Sequence, residues 1–190
     1  MVICLLIGSY LLGNLLTGSL ISTFYYKEEI REKGSGNPGA RNVGGLYGRK
    51  AFVATFLGDA LKGVIVVFAV RLFGFDQLIE LLALVSVVIG HVYPVFIKFR
   101  GGKGVSTFIG GLLVFSPLIF AVFVGVFAVL YLFVKNFTAA GITAIISLPI
   151  LLLVFSYHTQ FILIACLLSG IILVAHREDL NLKPKQVTRQ

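Results

Sequence analysis

Residues 104–134 read GVSTFIGGLLVFSPLIFAVFVGVFAVLYLFV, an apolar run without a single charge. As one helix it would be roughly 46 Å long, against a bilayer hydrocarbon core of about 30 Å. Ser116-Pro117 lies inside the run. Proline lacks the amide that an interior helical bond requires and clashes with the preceding turn. The stretch therefore predicts two helices, a short one over 104–115 and a full one over 117–134, with lipid as their solvent. Composition agrees. Of 190 residues, 58% are hydrophobic and only 13% charged, where soluble domains run about 45–50% and about 25%. Such a chain cannot cover itself with a wetted surface, which excludes most soluble folds.

Working outward, further apolar spans are expected over 2–24, 51–73, 78–97, 138–155 and 159–175, giving an all-α integral membrane protein with seven transmembrane helices. Charge placement tests this count, because Lys and Arg concentrate in cytoplasmic loops. Seven spans put fourteen of the sixteen cations on one face and only Arg71 on the other; six spans would reduce the bias to nine against six. The N-terminus is therefore expected outside and the C-terminus in the cytoplasm. The first span has no basic leader and is too long for a signal core, so it reads as a retained helix. No repeat or linker divides the chain, and residues 1–190 are expected to form one domain. Cys4 and Cys166 lie in apolar runs, and no His/Cys/carboxylate group has ligand spacing, so neither a disulfide, a metal nor a cofactor is expected.

Polar residues gather in three segments of the expected cytoplasmic face. The first is Gly34-Ser35-Gly36-Asn37-Pro38-Gly39-Ala40-Arg41-Asn42. Its glycines could turn backbone amides toward an anion, with Ser35, Asn37 and Asn42 as neutral donors and Arg41 as a cation; the plainer reading is a turn before a helix. The second runs from Gly90-His91-Val92-Tyr93-Pro94 to Phe99-Arg100-Gly101-Gly102-Lys103-Gly104. It is a doubly basic glycine loop opening into the short helix, whose N-terminus favours phosphate. The spacing is not that of a nucleoside-triphosphate loop, and plain anchoring at the interface is the alternative for Arg100 and Lys103. The third, His176-Arg177-Glu178-Asp179-Leu180-Asn181, reads as an anion-binding element or as the solvated end of the last span.

Inside the second span, Asp59 and Lys62 share one helix face. Charges at that depth face the protein interior and either hold helices together or act in function. His91 is a candidate general base or a hydrogen-bonded helix end.

Together these segments resemble the bacterial acyl-phosphate:glycerol-3-phosphate acyltransferases, the PlsY-type enzymes of phospholipid synthesis. The resemblance rests on the GSGNPGA loop, Asp59-x-x-Lys62-Gly63, Gly90-His91-x-Tyr93-Pro94, Phe99-Arg100-Gly101-Gly102-Lys103-Gly104-Val105 and His176-Arg177-Glu178 with Asn181. It implies a bacterial inner-membrane enzyme working on the cytoplasmic face. Its reaction would move a fatty acyl group from acyl phosphate to the sn-1 hydroxyl of glycerol 3-phosphate, releasing lysophosphatidic acid and phosphate. Partners are then the bilayer and these two substrates; nucleic acid is not among them. Ser35, Lys103 and His91 become the candidate catalytic side chains. Gly34, Gly36, Asn37, Arg41, Asn42, Arg100, Gly101, Gly102, Gly104, His176, Arg177 and Asn181 are the candidates for holding phosphate. Acyl phosphate carries its own leaving group, which lessens the need for a nucleophilic Ser or Cys and leaves the donor's phosphate as a candidate proton acceptor.

This chain departs from the family pattern at Gly45, where an arginine is usual, at Arg41 for threonine, at Gly141 for serine, at Asp179 for asparagine and at Leu182 for arginine. The other readings are a transporter or binding protein for a phosphorylated lipid or small anion, and a degenerate paralogue with altered acceptor.

Overall fold

The computed structural model describes residues 1–180; Asn181, Leu182 and the tail cations Lys183, Lys185 and Arg189 lie outside the described residues. Among the described residues the regular structure is helical. The elements are α1 (Val2–Gly13), α2 (Thr17–Ile21), α3 (Ala40–Tyr47), α4 (Arg49–Leu72), α5 (Gln77–Val92), α6 (Val105–Phe115), α7 (Pro117–Val134), α8 (Phe137–Ile146), α9 (Leu148–Val154), α10 (Thr159–Ala175) and α11 (Arg177–Leu180). By length and composition α4, α7 and the span Gln77–Ile97, which is α5 with the short turn after it, can each cross a membrane. Two bent pairs are further candidates: α1 with Thr17–Tyr26, which is α2 and its helical continuation, bent by 40°, and α8–α9, bent by 42°. The 104–134 run divides as expected. α6 ends at Phe115, Ser116 caps α7 by accepting from the Ile119 amide at 3.3 Å, and Pro117 occupies the first turn, where a missing amide costs nothing.

The two bends have identifiable causes. Pro149 cannot donate to Ile145, four residues back; the freed Ile145 carbonyl accepts instead from Ser169 Oγ of α10 at 2.8 Å. The first span was expected as one helix and is broken at Asn14–Leu16, where no proline stands. Its freed groups are taken by α4. Lys62 Nζ donates to the carbonyls of Gly13 (3.0 Å) and Leu15 (2.8 Å), and Asp59 Oδ1 accepts from the Thr17 amide (3.3 Å). Cation at the C-terminus of one half-helix and anion at the N-terminus of the next is the arrangement that helix dipoles favour.

The core lies where α4, α5, α6 and α10 meet, around Val67, Leu84, Val88, Phe108, Leu112, Leu168 and Ile172. Small residues bring the helices into backbone contact. Gly63 faces Thr107 and Gly111, Gly110 faces the Ala60 backbone, and a Cβ on Gly13 would lie 2.9 Å from the Gly90 Cα. By contrast α7 turns Leu118, Val124, Leu132 and Phe133 outward, as a lipid-facing helix does.

At one end of the bundle, Arg71 holds the buried Glu80 in a two-pronged bond (2.8 and 2.6 Å), and Arg71 and Gln77 both donate to the Phe115 carbonyl. The end of α6 is therefore level with the end of α4 and the start of α5. Because Gly63 packs on Thr107, α6 begins about halfway along α4. The first half of α4, roughly 18 Å of helix, extends past the start of α6, and α3 packs against α4.

Candidate functional site

The second and third polar segments meet directly. Lys103, at the mouth of α6, forms an ion pair with Asp179 beyond the end of α10, and their side chains remain 26% and 35% exposed. His176 is buried next to them, and its Nδ1 donates to the Ile172 carbonyl at 2.8 Å. Burial holds this imidazole below its ordinary range, so near neutral pH it is uncharged and its Nε2 is an acceptor. Arg177 and Arg100 are exposed at the same end.

The first segment is tied elsewhere. Arg41 donates to Thr138 Oγ1 at the start of α8, so the loop reaches across to the α7–α8 connection. Gly34 and Gly36 adopt the left-handed backbone that folds the loop tightly. Of the two readings of this loop, the anion-binding one turns its amides outward, but those of Ser35, Gly36 and Gly39 are engaged within the loop. Ser35 N donates to Asn42 Oδ1 (2.9 Å), Gly36 N to the Lys33 carbonyl (2.9 Å) and Gly39 N to Asn37 Oδ1 (2.9 Å). Asn42 Nδ2 also donates to the Lys33 carbonyl, at 3.1 Å. Asn37 and Asn42 thus brace the loop, and what it presents outward is the exposed Ser35. At Gly45 there is open space for a side chain.

The glycines of the second loop have a structural reason beyond anion binding. The Gly101 amide donates to the Val92 carbonyl (3.2 Å) and the Gly102 amide to the His91 carbonyl (3.0 Å), so the backbone lies flat on the end of α5. A Cβ at Gly102 would run into His91 Nε2, and one at Gly101 into the His91 carbonyl. Gly104, with φ of 79°, turns the chain into α6 against Val88, Val92 and Ile172. The first amides of α6 have no partner within their own helix, and Lys103 stands just before them.

Beneath this loop His91 is buried, and its Nδ1 sits 2.6 Å from Lys62 Nζ. An ammonium only donates, so Nδ1 accepts and the ring proton resides on Nε2. Lys62 spreads its three protons over the Gly13 and Leu15 carbonyls and His91, with Asp59 Oδ1 at 3.3 Å; Thr107 Oγ1 lies 3.4 Å from the same His91 nitrogen. Asp59 and Lys62 therefore link the break in the first span to the floor of the glycine loop. His91 fits the hydrogen-bonded helix end of its two readings, since Gly102 covers it.

Gly102→Ala tests this floor. His91 cannot swing away, because its other nitrogen is tied to Lys62, so the added methyl must lift the loop that carries Lys103. Overpacking of this kind costs about 1–3 kcal/mol. A lower unfolding midpoint together with at least a tenfold loss of turnover is the expected result; a variant with parental values of both would show that the loop tolerates the shift.

Similarity to known proteins agrees with this geometry. Residues 3–182 match the family model described as glycerol-3-phosphate acyltransferase. Glycerol-3-phosphate acyltransferase 1 of Bacillus cereus is 48% identical over 169 residues, covering 89% of this chain and 91% of its own. A glycerol-3-phosphate acyltransferase of Neisseria meningitidis is 37% identical, covering 91% and 88%. Crystal structures of PlsY, an integral membrane glycerol 3-phosphate acyltransferase, superpose on the fold at 36% identity, covering 95% of this chain and 90% of theirs. The TM-score is 0.86 for the glycerol 3-phosphate form and 0.83 for the lysophosphatidic acid form. With one glycine-loop lysine at the mouth of the bundle and a family match along nearly its whole length, this chain belongs to the glycerol-3-phosphate acyltransferase family.

Proposed function

We propose that the chain is an acyl-phosphate-dependent glycerol-3-phosphate acyltransferase of the bacterial inner membrane, transferring a fatty acyl group to the sn-1 hydroxyl to give lysophosphatidic acid and phosphate. The observation that carries this reading is the partly exposed Lys103 ammonium, set before the free amides of α6 and bordered by His176. Both substrates present a phosphate, and Lys103 with the α6 N-terminus forms one place to receive it. Ser35 and Arg41 belong to a second polar loop at the same end. In the reaction the glycerol hydroxyl oxygen bonds to the acyl carbon, the bond from that carbon to the phosphate oxygen breaks, and the hydroxyl proton leaves to a phosphate oxygen. The protein's part is placement and neutralisation of the departing charge.

In this reading the chain is one domain crossing the bilayer seven times, by α1–α2, α4, α5, α6, α7, α8–α9 and α10. The alignment of the α6 end with Arg71 and Glu80 supports a crossing rather than a re-entrant hairpin for the short helix. The outside N-terminus and cytoplasmic C-terminus follow from the cation count. A transporter reading finds less support. The backbone groups freed at Gly13, Leu15 and Ile145 are taken by Lys62 and Ser169, whereas in transporters such breaks hold substrate or ions.

The test is direct. Purified protein given acyl phosphate and glycerol 3-phosphate is expected to release lysophosphatidic acid and phosphate in equal amounts, and to give no product with acyl-CoA as donor. Folded protein that yields nothing at saturating acyl phosphate would sink the proposal; equal use of acyl-CoA would sink the donor assignment.

A further inference from the structure

The ion pair at the site mouth sets a problem for any phosphate that binds there. Lys103 is already paired with Asp179, and His176 beside them is uncharged near neutral pH, so the Lys103 charge is met by a carboxylate before any phosphate arrives, while Arg100 and Arg177 stand exposed at the same end. An incoming phosphate must displace the carboxylate or accept a negative neighbour within a few ångströms. Either way the carboxylate opposes binding and favours departure. Both side chains are partly open to water, so the exchange needs no unfolding of the bundle. The backbone amide of Asp179 donates to the His176 carbonyl at 2.9 Å, which holds the carboxylate at the end of α10, where it can return to Lys103.

We infer that Asp179 is an affinity-setting residue of the phosphate site: an internal competitor that occupies Lys103 between turnovers and hastens release of phosphate-bearing ligands. The inference rests on the reading of Lys103 as a phosphate ligand. The ligand class is a phosphate monoester or inorganic phosphate, and the kinetic arms separate the sources.

The experiment compares the parent enzyme with Asp179→Asn, a change of charge at constant shape. It measures KM for acyl phosphate, KM for glycerol 3-phosphate and the inhibition constant of inorganic phosphate. Expected are a fall of about three- to tenfold in the inhibition constant and a similar fall in the KM of whichever substrate docks its phosphate at Lys103, with the other KM unmoved. Glu32→Gln removes the same charge from an exposed acid of the first loop and is expected to leave all three constants at parental values. If it moves them as far as Asp179→Asn does, the effect is a general field and the inference is overturned. Constants within twofold of the parent in Asp179→Asn, while Lys103→Ala lowers kcat/KM by the expected factor of about a hundred or more, overturn the competitor and leave the phosphate-site reading intact. A kcat/KM within about tenfold of the parent in Lys103→Ala overturns that reading, and the competitor with it.

Discussion

Lys62→Ala is expected to lower the unfolding free energy by about 3–5 kcal/mol, the range found when one partner of a buried charge pair is removed. Three losses coincide. Asp59, 1% exposed at its side chain, keeps a buried negative charge with the Thr17 amide at 3.3 Å and the His91 ring at 3.8 Å but no cation opposite; the Gly13 and Leu15 carbonyls lose their donor; and His91 Nδ1 loses the proton it accepts. The measurement is the thermal unfolding midpoint in detergent micelles, with the double variant Asp59→Ala/Lys62→Ala alongside. If the stranded carboxylate dominates, the double variant is more stable than Lys62→Ala alone. If the carbonyls of the broken helix dominate, it is no better. A midpoint unchanged in both would mean that the α1–α2 break is held by packing, and the linkage from that break to the glycine loop would fall with it.

That break also shows where reading along the chain runs out. The Ser116-Pro117 break was legible because proline acts on its own turn; the α8–α9 bend has the same cause in Pro149, but 138–155 was expected as one unbroken span and the bend was missed. Nothing local marks Asn14–Leu16. The groups that permit that break, Asp59 and Lys62, lie more than forty residues away, and their i, i+3 spacing could say only that they share a helix face. The same holds at the site. Glycine signals a close approach of backbone to something, and the sequence does not say whether that is phosphate or protein. In the second loop the something is His91; in the first it is the loop's own Asn37 and Asn42. The Asp179 departure was visible as an added acid, but its partner, Lys103, lies 76 positions away, and only the folded bundle joins them. Arg41 likewise finds Thr138 across 97 positions. Residue types at the site were thus readable as chemistry, while their pairing depended on which helix ends the bundle brings to one level.

Lys103→Ala is expected to reduce kcat/KM by about 10²–10³-fold, the scale for losing a charge aimed at developing negative charge in a partly water-excluded site. A charge-assisted contact with ground-state phosphate is worth about 1.5–3 kcal/mol, or roughly ten- to 150-fold. The remainder requires that Lys103 meet the leaving phosphate, whose charge grows as the acyl–oxygen bond breaks. The division between KM and kcat separates these roles. A change confined to KM would make Lys103 a docking residue for the unreactive phosphate of glycerol 3-phosphate. Equal losses in kcat and kcat/KM would place it on the acyl phosphate. Lys103→Arg should recover part of the loss in either case, since the charge is kept while its position shifts along a longer, planar group. His158→Ala, at the exposed start of α10 and thus at the other end of that helix from His176, should match the parent, and a comparable loss there would mean that the functional end of the bundle has been misassigned. Because Asp179 already cancels the Lys103 charge in the free enzyme, Lys103→Ala also strands a partly exposed carboxylate at the mouth. Part of its effect would then be repulsion of phosphate rather than loss of attraction. The Lys103→Ala/Asp179→Asn double variant isolates that part: any rate it recovers over Lys103→Ala alone measures the carboxylate, and what stays lost measures the lysine.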